Sequence, residues 1–217
     1  MLYFFRRVAS WFVPKISWIS WNALRALFNG GVYFSLTEED WEYLRNALAD
    51  DYYIILTRNS AHLSTYLVSI GNVFATGKWG FWGHALMNLE NESPITDLGF
   101  KLMESTSVGV HYSSFQEVFR CDAVCLLKPK GLTKTEWTAI MDGLLLQNGK
   151  KYDNLFDLSD ESQVSCVEMV REALQALPNY YEMFPNLEEM IVKNGNNLTP
   201  EMFYTCPDFE IVWEVRR

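Results

Sequence analysis

An α+β fold, with helices around one mainly antiparallel sheet, is the class this sequence predicts. Three observations carry it. Strand-like runs at 84–90 (HALMNLE), 99–106 (GFKLMEST) and 121–129 (CDAVCLLKP) follow one another with no helical stretch between them. Strands this close in sequence pair as antiparallel neighbours, because parallel pairing needs a long crossover. On both sides lie segments whose apolar residues recur at helical spacing, the packing partners such a sheet requires.

Taken in order, residues 35–50 (SLTEEDWEYLRNALAD) open with capping hydroxyls, carry acids in the first turn and repeat apolar residues at Trp41, Leu44 and Leu48, which predicts a short helix. DYYIILTR at 51–58 is a compact β-branched and aromatic run and predicts a buried strand. LSTYLVSIGNVF at 63–74 predicts a second helix, ended by the glycine-rich turn TGKWGFWG. The turn NESPITD at 91–97 joins the first two strand-like runs as an antiparallel pair. After the third run, the segment from Thr133 predicts an amphipathic helix ending near Asn148 and Gly149. An irregular acidic loop then leads to a helix starting at Ser165, and FEIVWEVRR closes the chain as a strand. No internal repeat or low-complexity tract interrupts this order.

The chain has 217 residues, nearly half of them apolar, which suits one domain with a sizeable core. A net charge of −9 argues against nucleic acid as a partner, since phosphate recognition needs a basic face. The four cysteines, Cys121, Cys125, Cys166 and Cys206, fit no zinc spacing and demand no disulfide, so no metal is expected and a reducing, cytoplasmic setting is the default. Residues 1–36 differ from the rest. They carry Arg6, Arg7, Lys15 and Arg25 with no acid among them, and Pro14 and Lys15 interrupt the apolar run. Neither a secretory signal nor a membrane span is supported. The segment reads as an aromatic, basic arm ahead of a domain at 37–217, able to dock on the acidic body or a partner protein, or to lie in a membrane interface.

The chemistry centres on SQVSCVEMVREAL at 162–174. Ser165 and Glu168 have the spacing of a capping box, so the helix begins there and Cys166 occupies its first position. Unpaired N–H groups and the positive end of the helix dipole favour a thiolate at that place. Free cysteine also packs as a small hydrophobe, which is the structural alternative. A thiolate catalyst needs a histidine and a group to orient it. Of His62, His84 and His111, His62 sits in a helical surface stretch and His111 in a turn or edge, whereas His84 opens a strand after KWGFWG. Strand alternation puts Phe100, Leu102 and Glu104 on one face, and pairing with the His84 strand would let Glu104 accept the imidazole N–H.

These residues, in the order IILTRN, ATGKWGFWGHALM, KLMEST, VCLLKPKG, KKYDNLFDLSDESQVSCVEMV and LTPEMFYTCPDF, resemble the YiiX-like proteins. That group is a circularly permuted branch of the papain-fold superfamily, which includes NlpC-type cell-wall peptidases and lecithin retinol acyltransferase. The resemblance runs from about residue 50 to the carboxyl end and departs at ADDYYIIL, where the family has Gly-Asp, and at Val167, where a serine is common. It implies a permuted papain-like fold with Cys166 as nucleophile, His84 as general base and acid, and Glu104 orienting His84. It implies a cysteine hydrolase or acyltransferase that needs no cofactor and acts on a peptide-like, cell-wall or lipid-like acyl substrate. The other reading is a non-enzymatic protein of the same fold within a larger assembly.

Overall fold

The computed structural model describes residues 35–60, 63–89, 101–153 and 162–217. The segment 1–34, His62, Phe100, the NESPITD turn and most of the acidic loop lie outside the described residues. Six strands form one sheet: β1 (Ile54–Arg58), β2 (His84–Asn88), β3 (Leu102–Thr106), β4 (Gly109–Ser113), β5 (Ala123–Pro129) and β6 (Phe209–Arg216). Their order is β4-β3-β2-β1-β5-β6, and every pairing is antiparallel. The predicted α+β class holds, but the second and third strand-like runs are not successive, since β4 and a short helix at Phe115–Val118 stand between them.

Both faces of the sheet are covered. α1 (Glu38–Asp50) and α3 (Phe115–Val118) pack on one face, where Leu44, Leu48, Phe115 and Phe119 bury Ile55, Leu86, Leu102 and Leu126. α4 (Lys134–Leu145) and α5 (Cys166–Leu174) cover the other, over Ile54, Leu56, Met87 and Met103. Apolar residues of β1 therefore point both ways, which is why IIL reads as an unbroken apolar run rather than an alternation. α2 (Leu63–Thr76) connects β1 to β2, and the short α6 (Tyr180–Met183), α7 (Pro185–Lys193) and α8 (Pro200–Thr205) fill the chain between α5 and β6.

The turn ahead of β2 is held from three sides. Glu201 of α8 accepts the N–H groups of Phe81 at 2.6 Å and Trp82 at 3.2 Å. The Arg58 guanidinium donates to the Phe81 carbonyl, and Gly83 N–H donates to the Thr57 carbonyl at 3.1 Å. Gly83 lies so close to Thr65 that a Cβ there would meet its Cγ2 at 2.8 Å. The start of β2, and with it His84, is thus fixed by packing and by backbone bonds.

The seat of α5 depends on another close approach. A Cβ at Gly143 of α4 would lie 2.6 Å from the Ala176 Cβ and 3.2 Å from the Ala173 carbonyl oxygen. Helix propensity alone would make Gly143→Ala stabilising by about 1 kcal/mol. Overpacking a buried helix contact costs about 1–3 kcal/mol, so the clash outweighs the propensity and Gly143→Ala is expected to be destabilising. Urea unfolding of the variant beside wild type measures the sign directly.

Candidate active site

Cys166 stands at the first position of α5 because Ser165 caps the helix. Ser165 N–H donates to Glu168 Oε2 at 2.6 Å, and Glu168 N–H donates to Ser165 Oγ at 3.4 Å. Ser165 and Glu168 are both buried, so this cap has no water to replace its bonds and defines where the helix begins. The approach to the cap is tied to the sheet. Val164 N–H donates to the Lys151 carbonyl at 2.9 Å, and the Ser105 hydroxyl of β3 donates to the Val164 carbonyl at 2.6 Å. Ser105 is the neighbour of Glu104, so the strand that carries the carboxylate also anchors the segment that carries the cysteine.

Between β2 and β3 the ladder covers only Met87 with Met103 and Asn88 with Leu102. Pairing stops before His84 and Glu104, which therefore meet through side chains. His84 Nε2 lies 2.7 Å from Glu104 Oε2. Glu104 Oε1 accepts the Ser113 hydroxyl of β4. The Cys166 sulfur lies near enough to the His84 ring to act on it electrostatically. With Nε2 committed to the carboxylate, Nδ1 is the nitrogen that faces the thiol, which puts one polar group at each end of the imidazole. The structure thus brings Cys166, His84 and Glu104 into one cluster.

Electrostatics follow from that order. Burial disfavours the charged imidazole of His84, but the charge of the Cys166 sulfur, followed by the bond and charge of Glu104, outweigh it and push His84 up to about 10. Burial likewise opposes ionisation of Glu104. The bond and charge of His84, the Ser113 hydroxyl and the charge of His111 overcome this and hold the carboxyl down at about 2. Cys166 is only 4% exposed, while the His84 side chain keeps 25% of its surface open, so the imidazole forms the accessible edge of the cluster. The remaining cysteines are different: burial comes first in raising the thiols of Cys121, Cys125 and Cys206, and among the described residues no histidine contributes to any of these shifts.

The edge reading for His111 holds, since β4 is the outer strand of the sheet. Three features go beyond the sequence. His111 is the register partner of Glu104. Ser113 engages the carboxylate. Glu168, read as a cap alone, is a buried acid pushed up to about 7, chiefly by burial and further by the charges of Asp153 and Glu172, with the Ser165 bonds opposing. Its Oε1 is buried without a hydrogen-bond partner among the described residues. The only legible sign was the unusual run of carboxylates around the Cys166 helix.

Among the described residues no group of three or more histidine, cysteine, aspartate or glutamate side chains is arranged to hold a metal ion, and no helix is long and apolar enough to cross a membrane. No protein-family model matches the chain, and no curated protein matches it. A solved structure, that of the metalloprotein yiiX from Escherichia coli O157:H7, is similar in fold. Its TM-score is 0.54 at 17% identity, over 77% of this chain and 98% of that one.

The raised Glu168 carboxyl has a thermodynamic consequence. Between the ordinary carboxylate range and about pH 7 the folded chain holds this proton while the unfolded chain has released it, so stability falls as pH rises through that window. Glu168→Gln can keep the cap, because glutamine also accepts from the Ser165 N–H. Urea unfolding from pH 4.5 to 6.5 is expected to show a fall on the order of 2–3 kcal/mol in wild type that the variant lacks, while above that range the raised His84 adds a fall that both share.

Proposed function

We propose that this chain is a cysteine-dependent hydrolase or acyltransferase with a permuted papain-like (NlpC-type) arrangement, in which Cys166 is the nucleophile. The observation that carries this reading is the His84 imidazole held between the Cys166 sulfur and the Glu104 carboxylate, with the cysteine on a capped helix start. Chain order supports the permutation: the histidine strand precedes the cysteine helix, the reverse of papain. The fold likeness to yiiX supports the architecture and leaves the activity to be tested.

The mechanism uses groups already in contact. The Cys166 thiolate attacks the carbonyl carbon of an amide or ester, a C–S bond forms and the carbonyl electrons move to oxygen. The Cys166 backbone N–H, in the first helical turn where donors lack intrahelical partners, would be a donor to that oxyanion. The Nδ1 proton of His84 passes to the leaving nitrogen or oxygen as its bond to carbon breaks. Water, or an acceptor hydroxyl or amine, then gives its proton to His84 and displaces the acyl group, which restores the thiolate and imidazolium. Glu104 stays ionised throughout and holds the ring by Nε2, as the third member of such triads does.

Residues 1–36 give this reading a preferred substrate class. Basic and aromatic side chains without acids favour an anionic interface, where lipid-like or membrane-proximal acyl groups are found.

Two measurements test the proposal. Iodoacetamide labelling read by mass spectrometry at each cysteine should show Cys166 reacting fastest below neutral pH, and His84→Ala should slow it by about 10²–10⁴-fold. Activated esters and peptide anilides should leave an acyl mass on Cys166 that is absent in Cys166→Ser. A Cys166 as inert as Cys121, Cys125 and Cys206, with no acyl adduct, overturns catalysis in favour of a binding or structural role. For the substrate class, co-sedimentation with anionic vesicles should exceed that with neutral ones and drop when residues 1–36 are removed; equal, negligible binding overturns the lipid preference.

A further inference from the structure

Glu104 has two oxygens, and His84 uses one of them. Oε2 lies 2.7 Å from His84 Nε2, while Oε1 accepts the Ser113 hydroxyl and lies 3.8 Å from His111 Nε2. The placement follows from register. His111 is opposite Glu104 and Ser113 is opposite Leu102, so both β4 residues share the face that carries the carboxylate.

The second nitrogen of His111 settles how its ring meets Glu104. Nδ1 is 2.9 Å from the Gly109 carbonyl oxygen, which can only accept, so Nδ1 carries the hydrogen. In the neutral ring Nε2 then presents a lone pair to the carboxylate and no bond can form. A second proton reverses this: Nε2 becomes a donor and the ring a cation beside Glu104. His111 exposes 35% of its side chain, so it exchanges protons with solvent. The anions facing it are Glu104 from β3 and Glu117 from α3. His84 stands across the carboxylate, and Lys150, from the segment bonded to Val110 of β4, is paired with Glu172.

We propose that His111 is a pH-dependent positioning residue for this site: when protonated it draws on Glu104 Oε1 and competes with His84 for the carboxylate, with the Ser113 hydroxyl as the fixed anchor. This rests on the reading of Cys166 as a nucleophile held by His84. The competition couples the protonation of His111 to the nucleophile through a single carboxylate. The site detunes as His111 gains its proton and tightens as it loses it.

Two readouts on the full-length chain test the proposal. The first is the proton affinity of His111 followed by NMR, in wild type and in Glu104→Gln. It is expected to fall about two- to fivefold in the variant, the size that a partly exposed ion pair carries; an unchanged midpoint overturns the proposal. If Glu104→Gln does not fold, wild type decides: the His84 resonances must move with the His111 titration, and their indifference overturns it. The second readout is the pH profile of Cys166 alkylation in a Glu168→Gln background, which removes the other acid that titrates beside Cys166, alone and combined with His111→Gln or Ser113→Ala. The background should show an inflection of about two- to fivefold that the added His111→Gln removes. Ser113→Ala should lower reactivity at every pH and keep the inflection, and Ser113→Thr should restore the rate. An inflection that persists in His111→Gln overturns the proposal. A Cys166 inert at all pH defeats the nucleophile reading instead, and the NMR titration then decides the His111–Glu104 coupling by itself.

Discussion

A single buried bond, from the Ser105 hydroxyl to the Val164 carbonyl, joins the two parts of the chain on which the site depends. On one side of it Glu104 precedes Ser105 in β3; on the other Ser165 and Cys166 follow Val164. Neither group is exposed, so no water can replace the bond, and leaving such a group unsatisfied costs about 1–3 kcal/mol. The reciprocal cap of Ser165 and Glu168 then converts a fixed backbone position into a fixed helix start. From these few bonds follow the place of the cysteine, the direction of the first-turn N–H groups and the distance to the sheet. His84 is set independently, by the Glu201 bonds and the tight Gly83 contact that end the preceding turn.

Burying charge is costly, and the site shows how that cost is met. Several kcal/mol per ion are lost to desolvation, and a buried pair repays this only when its remaining donors and acceptors are also satisfied. Glu104 meets the condition with Ser113 on Oε1 and His84 on Oε2. His84 meets it with the carboxylate at one nitrogen and the Cys166 sulfur beside the other. Each group depends on the next, so the ion pair is an arrangement of the whole chain of contacts. The parting of β2 from β3 beyond Met87 provides the room for it, because a continuous ladder would hold the strands at sheet spacing through this point.

Much of this was legible in the sequence, for physical reasons. Ser165 and Glu168 announced the helix start because a capping box is a local motif that needs no tertiary information. IILTR reads as a buried strand because both faces of a central strand are apolar. For β4 the sequence supports no more than a turn or edge, because GVHYS is short and polar and its strand character comes from pairing with β3 rather than from its own pattern. The approach of His111 and Ser113 to Glu104 is a matter of register and has no local sign. The helices between Leu177 and Cys206 also went unread. Pro185 and Pro200, each in a first helical turn, were the available signal for two of them. The burial of Glu168 could not be seen locally, since a capping glutamate is usually solvated.

The two carboxyl groups nearest the cluster end in opposite states, and the cause is their company. Glu104 has two imidazole rings and a hydroxyl around it and is held at about 2. Glu168, one turn into the Cys166 helix, has further carboxylates in Asp153 and Glu172 and is raised to about 7, with one oxygen buried and unpartnered among the described residues. Burial opposes charge in both, so the difference lies in the neighbours. Environments that push like groups apart in this way assign them different work. Glu104 keeps its charge across the physiological range and can serve as a constant electrostatic support for His84. Glu168 gains and loses a proton within that range, so the helix start that carries Cys166 sits beside a charge that varies with pH. The polarity of the cluster therefore has a fixed end on the sheet and a variable end on the helix.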